Sequence, residues 1–390
     1  MPSFPREILP AVLRAARQFP AVILTGPRRS GKTYLLRKAF PRASYHLLED
    51  PDVLARVRAD PRGWIDEIET PAIVDEIQNA PELFPFIRSA IDRQASRPGK
   101  KAGRWLLTGS QEFSLMRGVT ESMAGRAALL GLLPLSFRET GAWNLLLGGF
   151  PEVLLRPGGR RLWLSSYVQT YLERDIRSLQ AVQNPSLFRR FLGLLASRHG
   201  QILNRSDLAA PLGVSVPTIS SWIGILETTG HVLLVPPYFE NFGKRLTKSP
   251  KIYWVDSALV CFLLGIETQT QLEKSPFIGA VFEGFIASEI LKRQTNRGLP
   301  KELYFFRDEQ GLEVDFLVPR AGGELLLVEA KWTKTVMPSD ATSLRRLAGA
   351  ARRRRVKAVV VHRASRDGPR AAVLAPGVKA LTVEEFLTGF

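Results

Sequence analysis

Ala21-Val22-Ile23-Leu24-Thr25 followed by Gly26-Pro27-Arg28-Arg29-Ser30-Gly31-Lys32-Thr33 is the stretch on which the reading turns. AVILT is a short apolar run that ends in a glycine, as a buried strand does. KTYLLRKAF, residues 32–40, has a helical period. Between them stands G-x-x-x-x-G-K-[ST], the pattern of a phosphate-cradling loop between strand and helix. The spacing follows from the chemistry. Gly26 and Gly31 let the backbone curl until successive N–H groups face an anion. Lys32 brings a cation to the outer phosphates, Thr33 brings a hydroxyl to Mg²⁺, and the helix N-terminus adds its dipole. The expected ligands are ATP and Mg²⁺, held by the whole loop from Gly26 to Thr33. Arg28 and Arg29 fall at variable positions and are expected to lean on solvent or neighbouring acids.

Working outward, Ser44–Leu48, Ala72–Val74 and Trp105–Thr108 read as further strands, with Arg126–Leu133 as a fifth. Helical stretches such as Glu82–Gln94 lie between them. This alternation predicts an α/β unit with a parallel sheet. The strand Pro71–Val74 runs into Asp75 and Glu76. Asp75 is the expected outer-shell Mg²⁺ ligand, and Glu76 the group that polarises the attacking water. That order is the layout of ATPases whose catalytic strand is inserted beside the P-loop strand. RWLLTGS ends in Thr108 and Ser110, and a polar residue at a strand tip can orient the γ-phosphate or the water. Ser110 is the first choice and Thr108 the second. Arg126 is either an arginine finger offered to a neighbouring subunit or a surface arginine.

The chain has 390 residues, 45% hydrophobic and 23% charged, enough for two or three cored domains. Its one cysteine, Cys261, excludes a disulfide framework and a cysteine metal site. No apolar run reaches the ~18–20 residues of a membrane helix, and MPSFPREILP lacks a secretory layout. The expectation is a cytoplasmic protein with no membrane partner. The formal charge of +17 draws it toward polyanions, nucleic acid foremost.

The middle segment Leu203–Glu227 reads as helix–turn–helix. Asn204 or Ser206 caps the first helix, Gly213 makes the turn, and Ser215 caps a second helix opening at Val216-Pro217. Two following strands frame a wing holding Lys244, Arg245, Lys248 and Lys251, residues suited to DNA phosphates. The second helix has neither Lys nor Arg, so the segment reads either as a winged helix whose basic wing binds duplex or junction DNA without reading sequence, or as a fold used for packing or subunit contact. Trp163, Tyr167 and Tyr171 follow a helical spacing and read as core, and the four histidines show no ligand spacing.

Past Ser275–Pro276, Glu283 lies on a helix, Asp315 in EVDF, and Glu329-Ala330-Lys331 ends a strand. Period two puts Glu329 and Lys331 on one face. The set resembles the PD-(D/E)xK nuclease core, in which such acids bind Mg²⁺ and the lysine activates water. The run Arg352–Arg355 is either a phosphate-tracking patch or a solvated face.

GPRRSGKT, IVDEIQNAPELF, LLTGSQEF, ESMAGR and LPLSFRE resemble a family of prokaryotic AAA-type ATPases fused to a C-terminal domain of unknown function. SYVQTYLERDI, NFGKRLTKSPKIYWVDSAL, GAVFEGFIASEI and GLEVDFLV extend the likeness over almost the whole chain. The resemblance implies an AAA-like ATPase domain over 1–140 and a helical linker over 141–195. It further implies a winged-helix part over 196–272 and a restriction-endonuclease-like tail over 273–390. The expected protein is a homo-oligomeric ATPase acting on duplex or branched DNA without reading sequence. The alternative is an ATP-gated switch that recruits a protein partner.

Overall fold

The computed structural model describes residues 4–95, 102–109, 122–172, 184–238, 249–351, 354–363 and 373–389. Ser110, Lys244, Arg245, Lys248, Arg352 and Arg353 lie outside the described residues. The strands of the N-terminal sheet are β1 (Ala21–Thr25), β2 (Ser44–Leu47), β3 (Ala72–Asp75), β4 (Trp105–Gly109) and β5 (Ala127–Gly131). They are parallel, in the order β2-β3-β4-β1-β5. A central parallel strand is covered on both faces, which is why AVILT is uniformly apolar and buried throughout. Ala21 and Ile23 pack with Val74, Trp105 and Leu107 on one face. Val22 and Leu24 pack with Leu36, Ile73 and Leu106 on the other. The neighbour of β1 toward the acids is β4, and the acidic strand β3 lies one place farther out. β4 is thus the strand inserted beside the P-loop strand, the layout expected from the order of the motifs. Chain order does not fix lateral order, which depends on how the crossover helices fit each face.

The middle part is helical through Pro151–Leu155, Arg160–Tyr167 and Pro185–Ala196, then folds around a small antiparallel sheet. This sheet is ordered β6 (Gln201–Ile202), β8 (Lys251–Trp254), β7 (Val232–Val235). Asn204 accepts the Ser206 and Asp207 amides at 3.1 and 3.4 Å, and Ser215 Oγ accepts the Thr218 amide at 3.3 Å. Gly213 takes φ +67° between the two capped helices, where an L side chain would be strained. The segments Arg205–Leu212 and Val216–Thr228 are bent by 111° to each other. Among the described residues no single helix is long and apolar enough to cross a membrane.

The C-terminal sheet holds β9 (Tyr304–Arg307), β10 (Glu313–Pro319), β11 (Leu325–Lys331), β12 (Val356–His362), β13 (Val373–Ala375) and β14 (Val378–Thr382). Its order is β13-β14-β12-β11-β10-β9, antiparallel at both edges and parallel through β11, β12 and β14. Helix Ile278–Asn296 touches β5, β8 and β11, one strand from each sheet. It is apolar around much of its circumference because it is covered on several sides. Several of its polar residues are satisfied by the N-terminal unit. Lys292 Nζ donates to the Leu135 carbonyl at 3.0 Å, Glu289 accepts the Phe137 amide at 2.8 Å, and Arg293 pairs with Glu7.

Candidate functional site

The P-loop leaves β1 with Gly26 at φ +145° and closes with Gly31 at φ +93°. A Cβ on Gly26 would stand 2.1 Å from the Leu132 carbonyl oxygen. Glycine is therefore required there by space as well as by torsion. Lys32 is buried, and its Nζ donates to the Gly26 and Pro27 carbonyls at 3.0 and 3.1 Å. Thr33 Oγ1 lies 2.9 Å from both oxygens of Asp75. Thr108, buried at the tip of β4, donates to Asp75 and accepts the Glu76 amide at 3.1 Å. The inserted strand thus brings its hydroxyl between the two acids. Glu76 has left-handed torsions, φ 58° and ψ 50°, and accepts from Gln78 Nε2 at 2.5 Å. A non-glycine residue held in that region costs ~1–3 kcal/mol, and such residues cluster at functional sites.

Gly31, Lys32, Thr33, Asp75 and Glu76 line a cavity of about 590 Å³. The residues fit a magnesium nucleotide. A hydroxyl and a carboxylate are already joined where Mg²⁺ would sit, and Ser30 Oγ is buried in the loop without a partner. Arg28 leans on Glu49 at 3.1 Å and Arg29 on Glu152 at 3.6 Å.

Several residues of this site carry no motif. Arg6 donates to the Ser30 and Leu133 carbonyls at 2.6 and 2.8 Å, bracing the loop from the N-terminal segment. Tyr45 donates to Asp75 at 2.7 Å. Burial first, then the Asp75 carboxylate, raises its hydroxyl far above the ordinary value. Tyr167 donates to the Arg28 carbonyl at 3.3 Å and meets His231 Nε2 at 2.8 Å. His231 Nδ1 in turn meets Thr229 Oγ1 at 2.8 Å, just past helix Val216–Thr228. The next glycine, Gly230, has so little space that a Cβ would stand 3.1 Å from Pro27. The P-loop and the turn that follows helix Val216–Thr228 are therefore in contact. Tyr167 is core, as its spacing suggests, but it also links the loop to His231, and no local pattern announces that role.

Arg126 falls elsewhere. Its carbonyl accepts the Ala21 amide at the start of β1, the end opposite Gly26. Its guanidinium pairs with Asp92 at 2.7 and 3.1 Å. Within one chain it takes no part in the site.

The structure does gather the C-terminal acids. Asp315 and Glu329 are buried with the partly buried Glu283 in the same cluster, and Lys331 lies on Glu329 at 2.7 Å. A further residue stands among them. Lys251, expected in the wing facing DNA phosphates, is buried, with its Nζ 3.0 Å from Glu283 and 2.6 Å from Glu313. That expectation is corrected. A lysine at a strand start is drawn inward when acids from the next module surround it. Burial first, then Asp315, raises the Glu283 carboxyl to about 7 and the Glu329 carboxyl to about 8. Glu329 Oε2 is buried without a partner. Even so, among the described residues no three acids, histidines or cysteines are arranged to hold a metal ion. The cluster does not fit the Mg²⁺ expected of a nuclease. Of the basic run, Arg354 and Arg355 are exposed, and nearby Lys357 pairs with Glu324 at 3.0 Å.

The buried groups set a pH dependence. Burial lowers His231 to about 3, helped by the Lys32 charge, and burial lowers His199 to about 3. Unfolded imidazoles titrate near ~6.5, so from about pH 6.5 down to 3 the unfolded chain binds protons that the fold refuses. Stability falls with pH in that window. Glu283 and Glu329 act oppositely, since the fold takes their protons first as pH falls from about 8 toward ~4.5. Calorimetric melting should therefore rise slightly from pH 8 to 7 and fall below about 4.5. A melting temperature still climbing at pH 4 would contradict the neutral buried histidines.

Residues 18–141 match the AAA domain family. Residues 143–270 and 278–384 match two families described only as domains of unknown function, DUF8612 and DUF4143. Two curated relatives, "Uncharacterized protein Rv2008c" of Mycobacterium tuberculosis and "Uncharacterized protein Mb2031c" of Mycobacterium bovis, are each 33% identical over 351 residues. The match covers 87% of this chain and 76% of theirs. Among solved structures, the Walker-type ATPase paby2304 of Pyrococcus abyssi is similar at 15% identity and a TM-score of 0.41. That match spans 66% of this chain and 94% of the other.

Proposed function

This chain belongs to one family with the two mycobacterial proteins, and from that premise we propose that its AAA ATPase domain hydrolyses ATP to change the chain's grip on duplex or branched DNA. The carrying observation is the contact of the P-loop with the turn that follows the second helix of the helix–turn–helix, made through Tyr167 and His231. A loop that reshapes around phosphate cannot leave that helix undisturbed. On binding ATP, Lys32 exchanges the Gly26 and Pro27 carbonyls for phosphate oxygens. Thr33 and Asp75 would hold Mg²⁺, which supplies charge neutralisation at the phosphates. Glu76 orients the attacking water, and Thr108 ties the Asp75 carboxylate to the Glu76 backbone amide.

Helix Pro185–Ala196, β6, the two bent helices, β7 and β8 follow one another in winged-helix order, and the charge of +17 supports a polyanion partner. With no Lys or Arg on helix Val216–Thr228, DNA binding is non-sequence-specific. Arg126 would act on phosphate only from a second copy, so the working form is a homo-oligomer. The nuclease tail expected from Asp315, Glu329 and Lys331 is not part of this reading. The bare second helix also favours an alternative, an ATP-gated switch that recruits a protein.

ATPase rates on duplex, single-stranded and four-way-junction DNA separate the two. The DNA reading expects stimulation, with log affinity falling linearly against log salt; no DNA affinity at low salt leaves the protein-recruiting switch. Tyr167→Phe keeps the ring but loses the bonds to Arg28 and His231. Its basal ATPase should stay within about twofold while DNA stimulation drops severalfold, since each hydrogen bond deleted is worth ~1 kcal/mol. Equal stimulation of Tyr167→Phe and wild type would remove this route of coupling.

A further inference from the structure

We propose that the buried carboxylate cluster carries its own cation, the Lys251 ammonium, and is an ionic latch between the middle and C-terminal parts, not a metal centre. Lys251 opens β8 of the small antiparallel sheet, and its side chain is 4% exposed. Its Nζ lies 2.6 Å from Glu313, 3.0 Å from Glu283 and 3.8 Å from Asp315. Those acids come from β10 and from helix Ile278–Asn296, so the ammonium joins three elements of two modules. Tyr253, two residues along the same strand and so on the same face, donates to Glu283 at 2.5 Å. Asp315 Oδ2 accepts the Ala330 amide at 2.9 Å. Nearby, the Tyr238 amide donates to the Phe305 carbonyl at 2.7 Å, joining the same two modules through backbone.

A dication and an ammonium cannot share this space. Like charges a few ångströms apart in a poorly solvated interior repel strongly, and Glu283 and Glu313 already accept charge-assisted bonds from Lys251. Lysine also differs from a metal in being permanent. The latch holds at any metal concentration, and the cluster performs no metal-assisted hydrolysis of phosphodiesters.

Mn²⁺ binding to the full-length, nucleotide-free chain, followed by electron paramagnetic resonance, tests this. Wild type and Asp315→Asn should give superimposable isotherms. Lys251→Ala should gain one site, which Asp315→Asn on that background removes. Its melting temperature should fall by about 5–10 °C, because an uncompensated buried charge is strongly destabilising, and should recover with Mn²⁺. A wild-type Mn²⁺ site abolished by Asp315→Asn would overturn the proposal. So would a folded Lys251→Ala protein with unchanged melting and no new site. Should Lys251→Ala not fold, wild type against Asp315→Asn still decides. No variant in the set touches the P-loop, so either outcome leaves the ATPase reading standing.

Discussion

Glu76→Gln should bind ATP as wild type does and turn it over about 10²–10⁴ times more slowly, the span expected when a positioned base is removed. The amide is nearly isosteric, and Thr33, Asp75 and Lys32 keep their places, so affinity has no reason to change. The loss belongs to the water, which loses the carboxylate that accepts its proton. Glu76 is fixed for this task by its left-handed backbone, by the Thr108 hydroxyl on its amide and by Gln78 on its side chain. Phosphate release measured beside nucleotide binding by calorimetry checks both halves. Turnover within threefold of wild type would assign water activation to another residue.

Gly26→Ala should damage the fold and the phosphate site together. The added methyl would stand 2.1 Å from the Leu132 carbonyl, a backbone atom that cannot swing aside, at a φ of +145°. Strain at such a torsion and overpacking each cost ~1–3 kcal/mol, giving a combined loss of roughly 2–6 kcal/mol. The Leu132 amide is also bonded to the Thr25 carbonyl at 2.7 Å, so pushing this segment away disturbs the exit of β1. Urea unfolding should show the drop, and nucleotide binding should fail before the fold does. Gly125→Ala, whose Cβ meets nothing within 4 Å, is the control. It shares the positive φ but not the crowding, so a comparable loss there would implicate torsion alone.

The loop, its strand and its helix were legible because all their determinants are local. Glycine torsion, a lysine at fixed spacing and a uniformly apolar run sit within thirteen residues. Asp75 and Glu76 were legible for the same reason, as a charged end on an apolar strand, and the caps at Asn204 and Ser215 as short side chains ahead of helices. Which strand-tip hydroxyl meets the acids was not legible: Thr108 was the second choice behind Ser110, which lies outside the described residues, and only the sheet shows Thr108 on Asp75. Arg6, Tyr45, Tyr167 and His231 were invisible as site residues because each meets the loop or its acids across a long stretch of chain. Arg126 stood in a suggestive motif, yet the sheet carries it to the end away from the phosphates.

The acids of the last module show the division most sharply. Their residue types and period-two spacing came from the sequence alone, and so did their convergence on one place. What they converge on came from the tertiary structure. A lysine from another sheet fills the centre, and identical carboxylates take opposite chemistry depending on whether a mobile ion or a tethered ammonium neutralises them. Sequence determines which groups a chain can offer; packing alone decides which opposite charge reaches them first and excludes the rest.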